Sequence, residues 1–245
     1  MRFSGIDTYI LFGGGGKIIS SFAKELSAKG YNVYVFSSKR HLEELVEDSN
    51  INLEQLLKNN SISYFSVTDI NKDENLKKII TNSTIGLGLG EVWQFEKKLI
   101  DLFRGRLLAF MGIRLPQYRG GAHYTWQILR KNRINCCAWE IITENTVPGV
   151  SDSGQVIKYQ EYLFPSWCRI PNDYYKVAYK ENMKFFLEFV QEVNNGHDYK
   201  VTMLQENFSL YFPRLNTIKH GHIDWNWNTE DIEIFICAFD EPYAG

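Results

Sequence analysis

The chain has 245 residues, 44% of them apolar, and sets 27 Lys and Arg against 29 Asp and Glu. That length suits one domain, or one domain with a small appendage, and is enough to bury a full core. The balanced charge argues against a nucleic-acid partner. No run reaches the roughly 18 uncharged apolar residues of a membrane span, and Met1 to Tyr9 lacks the apolar stretch of a signal peptide, so the expected location is the cytoplasm.

Tyr9 to Phe12 reads as a strand ending at the glycine cluster Gly13 to Gly16. Ile18, Ile19, Phe22, Ala23 and Leu26 then recur at helical spacing until Gly30 stops the helix. Tyr31 to Phe36, Ile62 to Val67, Ile85 to Leu89 and Leu107 to Met111 are further strands, separated by helical stretches such as Glu96 to Phe103. This alternation predicts a doubly wound, mostly parallel α/β sheet. Beyond residue 111 the pattern predicts a helix from about Tyr124 to Lys131 and strands over Cys136 to Thr143 and Gln155 to Leu163. A helix capped by Asn172 buries Phe185, Phe186, Phe189 and Val193, and a last helix starts at the Asn228 and Asp231 capping pair. The expected division is an α/β domain over residues 1–200 and a small C-terminal extension over 201–245.

Three local signals carry bland readings. Gly13 to Lys17 lacks the spacing of a phosphate-binding loop, because Leu11 and Ile18 stand where a glycine and a Ser or Thr belong, so it reads as a tight turn. His220 and His222 have no acidic or thiol partner at ligand spacing, and no metal site is expected. Trp225 and Trp227 alternate with Asn226 and Asn228, as in an amphipathic strand or turn, with core packing as the default. The cysteines, at positions 136, 137, 168 and 237, show no paired spacing and read as reduced and structural.

Three stretches share an order and a spacing. The first runs from Phe103-Arg104-Gly105-Arg106-Leu107-Leu108 to Leu115-Pro116-Gln117-Tyr118-Arg119-Gly120-Gly121-Ala122. The second is Val150-Ser151-Asp152-Ser153-Gly154-Gln155-Val156-Ile157. The third comprises Pro213-Arg214-Leu215, Ile223-Asp224-Trp225-Asn226, and Ala238-Phe239-Asp240 with Pro242-Tyr243-Ala244-Gly245. Together they resemble the folate-dependent formyltransferase family, which includes methionyl-tRNA formyltransferases and sugar N-formyltransferases. The resemblance covers about Ile85 to Gly245.

The resemblance implies attack by an amine on the formyl carbon of N10-formyltetrahydrofolate, which needs a base for the amine proton and donors for the oxyanion. In the family an Asn-x-His pair and the Asp of Asp-x-Gly do this work. Here Ala109 and Met111 occupy the pair's positions and only Asp152 survives. Neither alanine nor methionine can take a proton or donate to an oxyanion. Two readings follow. In one, catalysis is rebuilt, with His123 as base and Arg114 offsetting charge or holding a phosphate or carboxylate. In the other, the chain binds folate or a sugar nucleotide without turnover. A hydrolase releasing formate is a weaker third.

By the same resemblance Tyr118, Arg119, Gly120 and Gly121 lie beside the acceptor, where Trp126 offers either an aromatic wall or a side chain buried under its helix. Leu87, Gly88, Leu89 and Gly90, with Val147, Gly149 and Val150, lie beside the folate. The expected acceptor is a nucleotide-linked amino sugar rather than tRNA, because the charge is balanced and the chain ends at Gly245, where tRNA-type relatives continue into a basic β-barrel. Aromatic helix faces beyond residue 170 suggest a homodimer.

Overall fold

The structure is a computed structural model that describes residues 1–47, 49–90, 93–146 and 154–243, except for the side chain of Glu206. The first elements are β1 (Thr8–Gly13), α1 (Gly16–Ala28), β2 (Asn32–Ser37), α2 (Lys39–Glu43), α3 (Leu53–Asn59), β3 (Ser63–Ser66), α4 (Glu74–Ile79), β4 (Thr84–Leu89), α5 (Lys97–Phe103) and β5 (Leu107–Met111). There follow β6 (Arg119–Gly120), α6 (His123–Leu129), β7 (Ile134–Ile141), β8 (Gln155–Leu163), α7 (Pro171–Asn194), β9 (Thr202–Met203), β10 (Tyr211–Phe212), α8 (Thr217–His220) and α9 (Thr229–Ala238). The strands predicted from periodicity are all present, β5 and β8 with the expected ends.

Two compact units divide the chain. One is Met1–Met111, Ala138–Lys158 and Met183–Met203, and the other is Gly112–Cys137, Tyr159–Asn182 and Leu204–Gly245. The long elements β7, β8 and α7 each give residues to both units.

Strand order is β3-β2-β1-β4-β5-β7-β8-β9. The strands from β1 to β5 run parallel, and β7 turns antiparallel against β5. Parallel neighbours need long crossovers, which the intervening helices supply. β1 is buried along its whole length, as expected of a strand covered on both faces. Ile10 and Phe12 join Leu99 and Phe103 of α5, Leu107 and Ala109 of β5, and Ile142 in one cluster. The other face is aromatic: Phe22 of α1 stacks on Phe186 of α7, with centroids 3.7 Å apart and planes 6° from parallel. Phe110 meets Phe22 and Trp139 edge-on at 5.8 and 5.2 Å. Phe185, Phe186, Phe189 and Val193 are buried as the periodicity predicts.

The second unit has its own core of Ile128, Phe164, Cys168, Tyr174, Ala178, Ala238 and Phe239. Asn228 caps α9 by accepting the Asp231 amide at 2.9 Å. Asn172 is not the cap of α7, which begins a residue earlier at Pro171; the Asp173 carboxylate takes the Arg169 and Ile170 amides instead. Proline suits that first-turn position, since its missing N–H has no partner to lose. Trp225 and Trp227 are not core residues: they stand 77% and 39% exposed. Their segment is a turn in which the Asp224 side chain takes the Asn226 amide, so the alternation reflects a turn rather than a buried strand. Among the described residues no helix is long and apolar enough to cross a membrane, and no three His, Cys, Asp or Glu side chains cluster as a metal site would require.

Candidate active site

In the first unit the candidate site lies at the C-terminal ends of β4 and β5. These strands pair in parallel with Gly86 against Leu107, Leu87 against Leu108 and Gly88 against Ala109. Ligands of α/β sheets bind at such strand ends. The Leu87 and Leu89 side chains, 0% and 2% exposed, belong to the core. What this segment offers a ligand is backbone, most openly at Gly90, which is exposed and, among the described residues, has no atom within 4 Å of where a Cβ would stand. The glycine cluster after β1 packs against the same strand end. A Cβ at Gly13 would lie 2.4 Å from the Leu89 carbonyl oxygen, and the Gly14 amide donates to the Gly90 carbonyl at 3.3 Å. Backbone packed on backbone accounts for Gly13, and the His41 ring, 2.3 Å from where a Cβ would stand, accounts for Gly14.

Ala109 is 2% exposed, and Met111 packs at the edge of the same cluster. Across the antiparallel pair, Ala109 faces Glu140 and Met111 faces Ala138. Directly opposed residues project to the same face of a sheet, so the Glu140 side chain rises on the face that carries Ala109 and Met111. Glu140 is 0% exposed, and its Oε1 accepts the Gly154 amide at 2.6 Å. Sequence reading passed over this residue. The available signal was one acidic residue inside the otherwise uncharged run Ile134–Ile141. Asp152, Val147, Gly149 and Val150 lie outside the described residues.

In the second unit His123 is the first residue of α6. Burial is the largest influence on its imidazole and lowers its pKa to about 4, with a hydrogen bond to the Gly120 carbonyl opposing. The imidazole is therefore kept neutral by desolvation. Its Nε2 is buried and meets no hydrogen-bond partner among the described residues.

Arg114 is committed within the chain: its Nε donates to Glu161 Oε1 at 2.8 Å, and the Tyr159 hydroxyl donates to the same oxygen at 3.0 Å. Its charge is thus largely met before any anion arrives. Tyr118 is buried, stacks on Phe212 at 4.9 Å, and accepts the Asn132 side-chain amide at 2.6 Å. Arg119 and Gly120 form β6, paired in parallel with Tyr211 and Phe212 of β10. The Gly121 amide donates to the Phe212 carbonyl, and the Trp126 indole donates to the Pro213 carbonyl, each at 2.9 Å. The segment from Arg119 to Trp126 is thus anchored to residues 211–213, a short edge that no periodicity in the sequence announced.

No protein-family model and no curated protein matches the chain in sequence. Solved structures do match it in shape. An N-formyltransferase from Helicobacter canadensis, in complex with folinic acid and dTDP-3-aminofucose, aligns with a TM-score of 0.71 at 17% identity, over 96% of this chain and 80% of that one. A sugar N-formyltransferase from a Shewanella species gives 0.63 at 13%, over 95% and 88%. Glycinamide ribonucleotide transformylase 1 from Symbiobacterium toebii gives 0.55 at 10%, over 82% and 96%. The chain therefore has the formyltransferase fold.

Proposed function

We propose that the protein is a cytoplasmic formyltransferase that moves a formyl group from N10-formyltetrahydrofolate to the amino group of a nucleotide-linked amino sugar. The observation that carries this reading is the whole-chain likeness to the Helicobacter canadensis N-formyltransferase, whose complex holds folinic acid and dTDP-3-aminofucose. The paired ends of β4 and β5 add support, since they offer open backbone at Gly90 where a folate would be held. When bound, the folate supplies an activated one-carbon unit at the formyl oxidation level.

The protein's own groups handle the proton. In this reading Asp152 is the carboxylate of the Asp-x-Gly segment, and His123, held neutral near pH 7 by burial, is assigned to take the amine proton. Tyr118, Arg119, Gly120, Gly121 and Trp126 shape the acceptor loop, with Arg114 bracing it through Glu161.

A second reading, binding without turnover, is favoured by Ala109 at 2% exposure within an apolar cluster. Both are tested by incubating pure protein with N10-formyltetrahydrofolate and a panel of nucleotide-linked amino sugars, following tetrahydrofolate release alongside calorimetric folate binding. Release that disappears in Asp152→Asn or His123→Ala supports the enzyme. Tight binding with no release supports the second reading, and absence of folate binding overturns both.

A further inference from the structure

Buried polar atoms in folded chains nearly always find a partner, either in the protein or in an ordered water. Two atoms on one face of α6 have none among the described residues. Gln127 is 1% exposed, and its Oε1 is buried without a hydrogen-bond partner, as is His123 Nε2. Both residues lie in α6 and stand four apart, so they are neighbours on one face of the helix, with β-carbons about 5–6 Å apart.

Both atoms are acceptors. Gln127 Nε2 donates to the Ile134 carbonyl at 2.8 Å, which fixes the amide: turned over, it would set oxygen against oxygen. His123 bonds the Gly120 carbonyl, which takes a ring N–H; since Nε2 has no partner, that N–H is on Nδ1. In the neutral ring Nε2 then carries the lone pair. Two acceptors cannot satisfy one another. One water can satisfy both, because it has two O–H donors, and internal waters occupy such polar places.

We propose that His123 Nε2 and Gln127 Oε1 hold one internal water between them, that this water carries the amine proton to His123, and that Gln127 is the residue positioning it. The carrier role rests on the formyl-transfer reading. Nε2 is buried, so a proton reaches it through a small molecule that fits beside it rather than directly from a bulky sugar. A water that donates to both atoms keeps its own lone pairs for an incoming N–H. As the amine nitrogen bonds the formyl carbon, its proton passes to the water oxygen while a water proton passes to Nε2, and the water is regenerated. The imidazolium keeps its bond to the Gly120 carbonyl. When the formyl carbon leaves its first nitrogen, the proton returns through the same water to that nitrogen.

The test uses the full chain. A high-resolution crystal structure is expected to show one water within about 3.2 Å of both atoms. No water there, or the two atoms turned to separate protein partners, overturns the site. Gln127→Met removes the acceptor at nearly the same length. In that variant kcat falls on the order of 10²-fold, the lower end of what a proton-transfer group contributes, while KM for folate and sugar changes by less than about threefold. The double variant His123→Phe, Gln127→Met turns over within about threefold of His123→Phe alone, because both changes break one path.

Wild-type turnover in Gln127→Met, or losses that multiply in the double variant, overturn the relay. Should Gln127→Met fail to fold, Gln127→Asn, which withdraws the oxygen by one bond, takes its place in the same comparison. A wild-type protein that transfers no formyl group overturns the reading beneath the relay, and the crystal structure then still decides the water site.

Discussion

Gly120 lies so close beneath the main chain of Phe212 that a β-carbon there would stand 1.9 Å from the Phe212 carbonyl oxygen. Its φ of +103° is also one that L side chains rarely adopt. The glycine that resembles a substrate-approach residue is thus required by β10 of the same chain. Gly120→Ala is expected to separate β6 from β10 and to cost more than the ~1 kcal/mol that a compatible glycine-to-alanine change can gain. Gly121→Ala, whose Cβ would meet Arg214 at 3.2 Å, is expected to cost less. Equilibrium denaturation of both variants checks the order.

Burial of His123 has a signed consequence for acid stability. Its pKa in the folded chain, about 4, lies below the ordinary value of 6.5, so the unfolded chain binds the proton first as pH falls. The contribution is fully present above about pH 6.5 and is lost progressively down to about pH 4, by at most about 3 kcal/mol. A variant without the imidazole, His123→Phe, is expected to show a flatter stability profile across that window. Denaturant midpoints measured from pH 7 to pH 4 provide the comparison; equal slopes for the two proteins would contradict the assignment.

The four thiols are expected to separate by reactivity. Burial pushes the Cys136 thiol up to about 12 and Cys168 up to about 11, while Cys136 also donates to the Ile113 carbonyl. Cys137 is buried beside the Asn182 side chain, and Cys237 alone is partly exposed. Because the thiolate is the reactive form, a thiol-exchange reagent at pH 8 should modify Cys237 first and the others only on unfolding. Mass spectrometry of briefly labelled native protein identifies the modified residue.

Restoring the absent pair is expected to trade stability for turnover. Asn at position 109 must enter a cluster with Phe103 and Ile142, opposite Glu140. Overpacking of this kind costs about 1–3 kcal/mol. The double variant Ala109→Asn, Met111→His is nevertheless expected to raise tetrahydrofolate release on the order of 10²-fold, the usual yield of a placed acid-base group. Release at the wild-type rate from a folded double variant would show that the pair's loss does not limit the chain.

Much of the fold was readable because the signals were local. The strand ends of β5 and β8 follow from apolar runs, α1 from the spacing of Phe22, Ala23 and Leu26, and α9 from its Asn228 cap. β7 begins and ends two residues earlier than the apolar pattern suggests, since Ile134 continues the strand at 37% exposure. The helices between residues 39 and 79 are short and half-exposed, so they leave weak periodicity. Residue types singled out Asp152 and His123 as candidates, yet nothing local tied Arg114 to Glu161, 47 positions away.

By itself the sequence determined the alternation of strands and helices, the apolar faces that make a doubly wound sheet, and the presence of Ala109 and Met111, neither of which can take a proton. Those properties depend on each residue's own chemistry and on neighbours a few positions off. Tertiary structure alone decided the antiparallel turn of β7 against β5, the pairing of β6 with β10, the burial of His123 and the placement of Glu140 opposite Ala109. Each of these is a contact between segments distant in the chain, and such contacts are selected by packing and hydrogen-bond satisfaction across the whole fold.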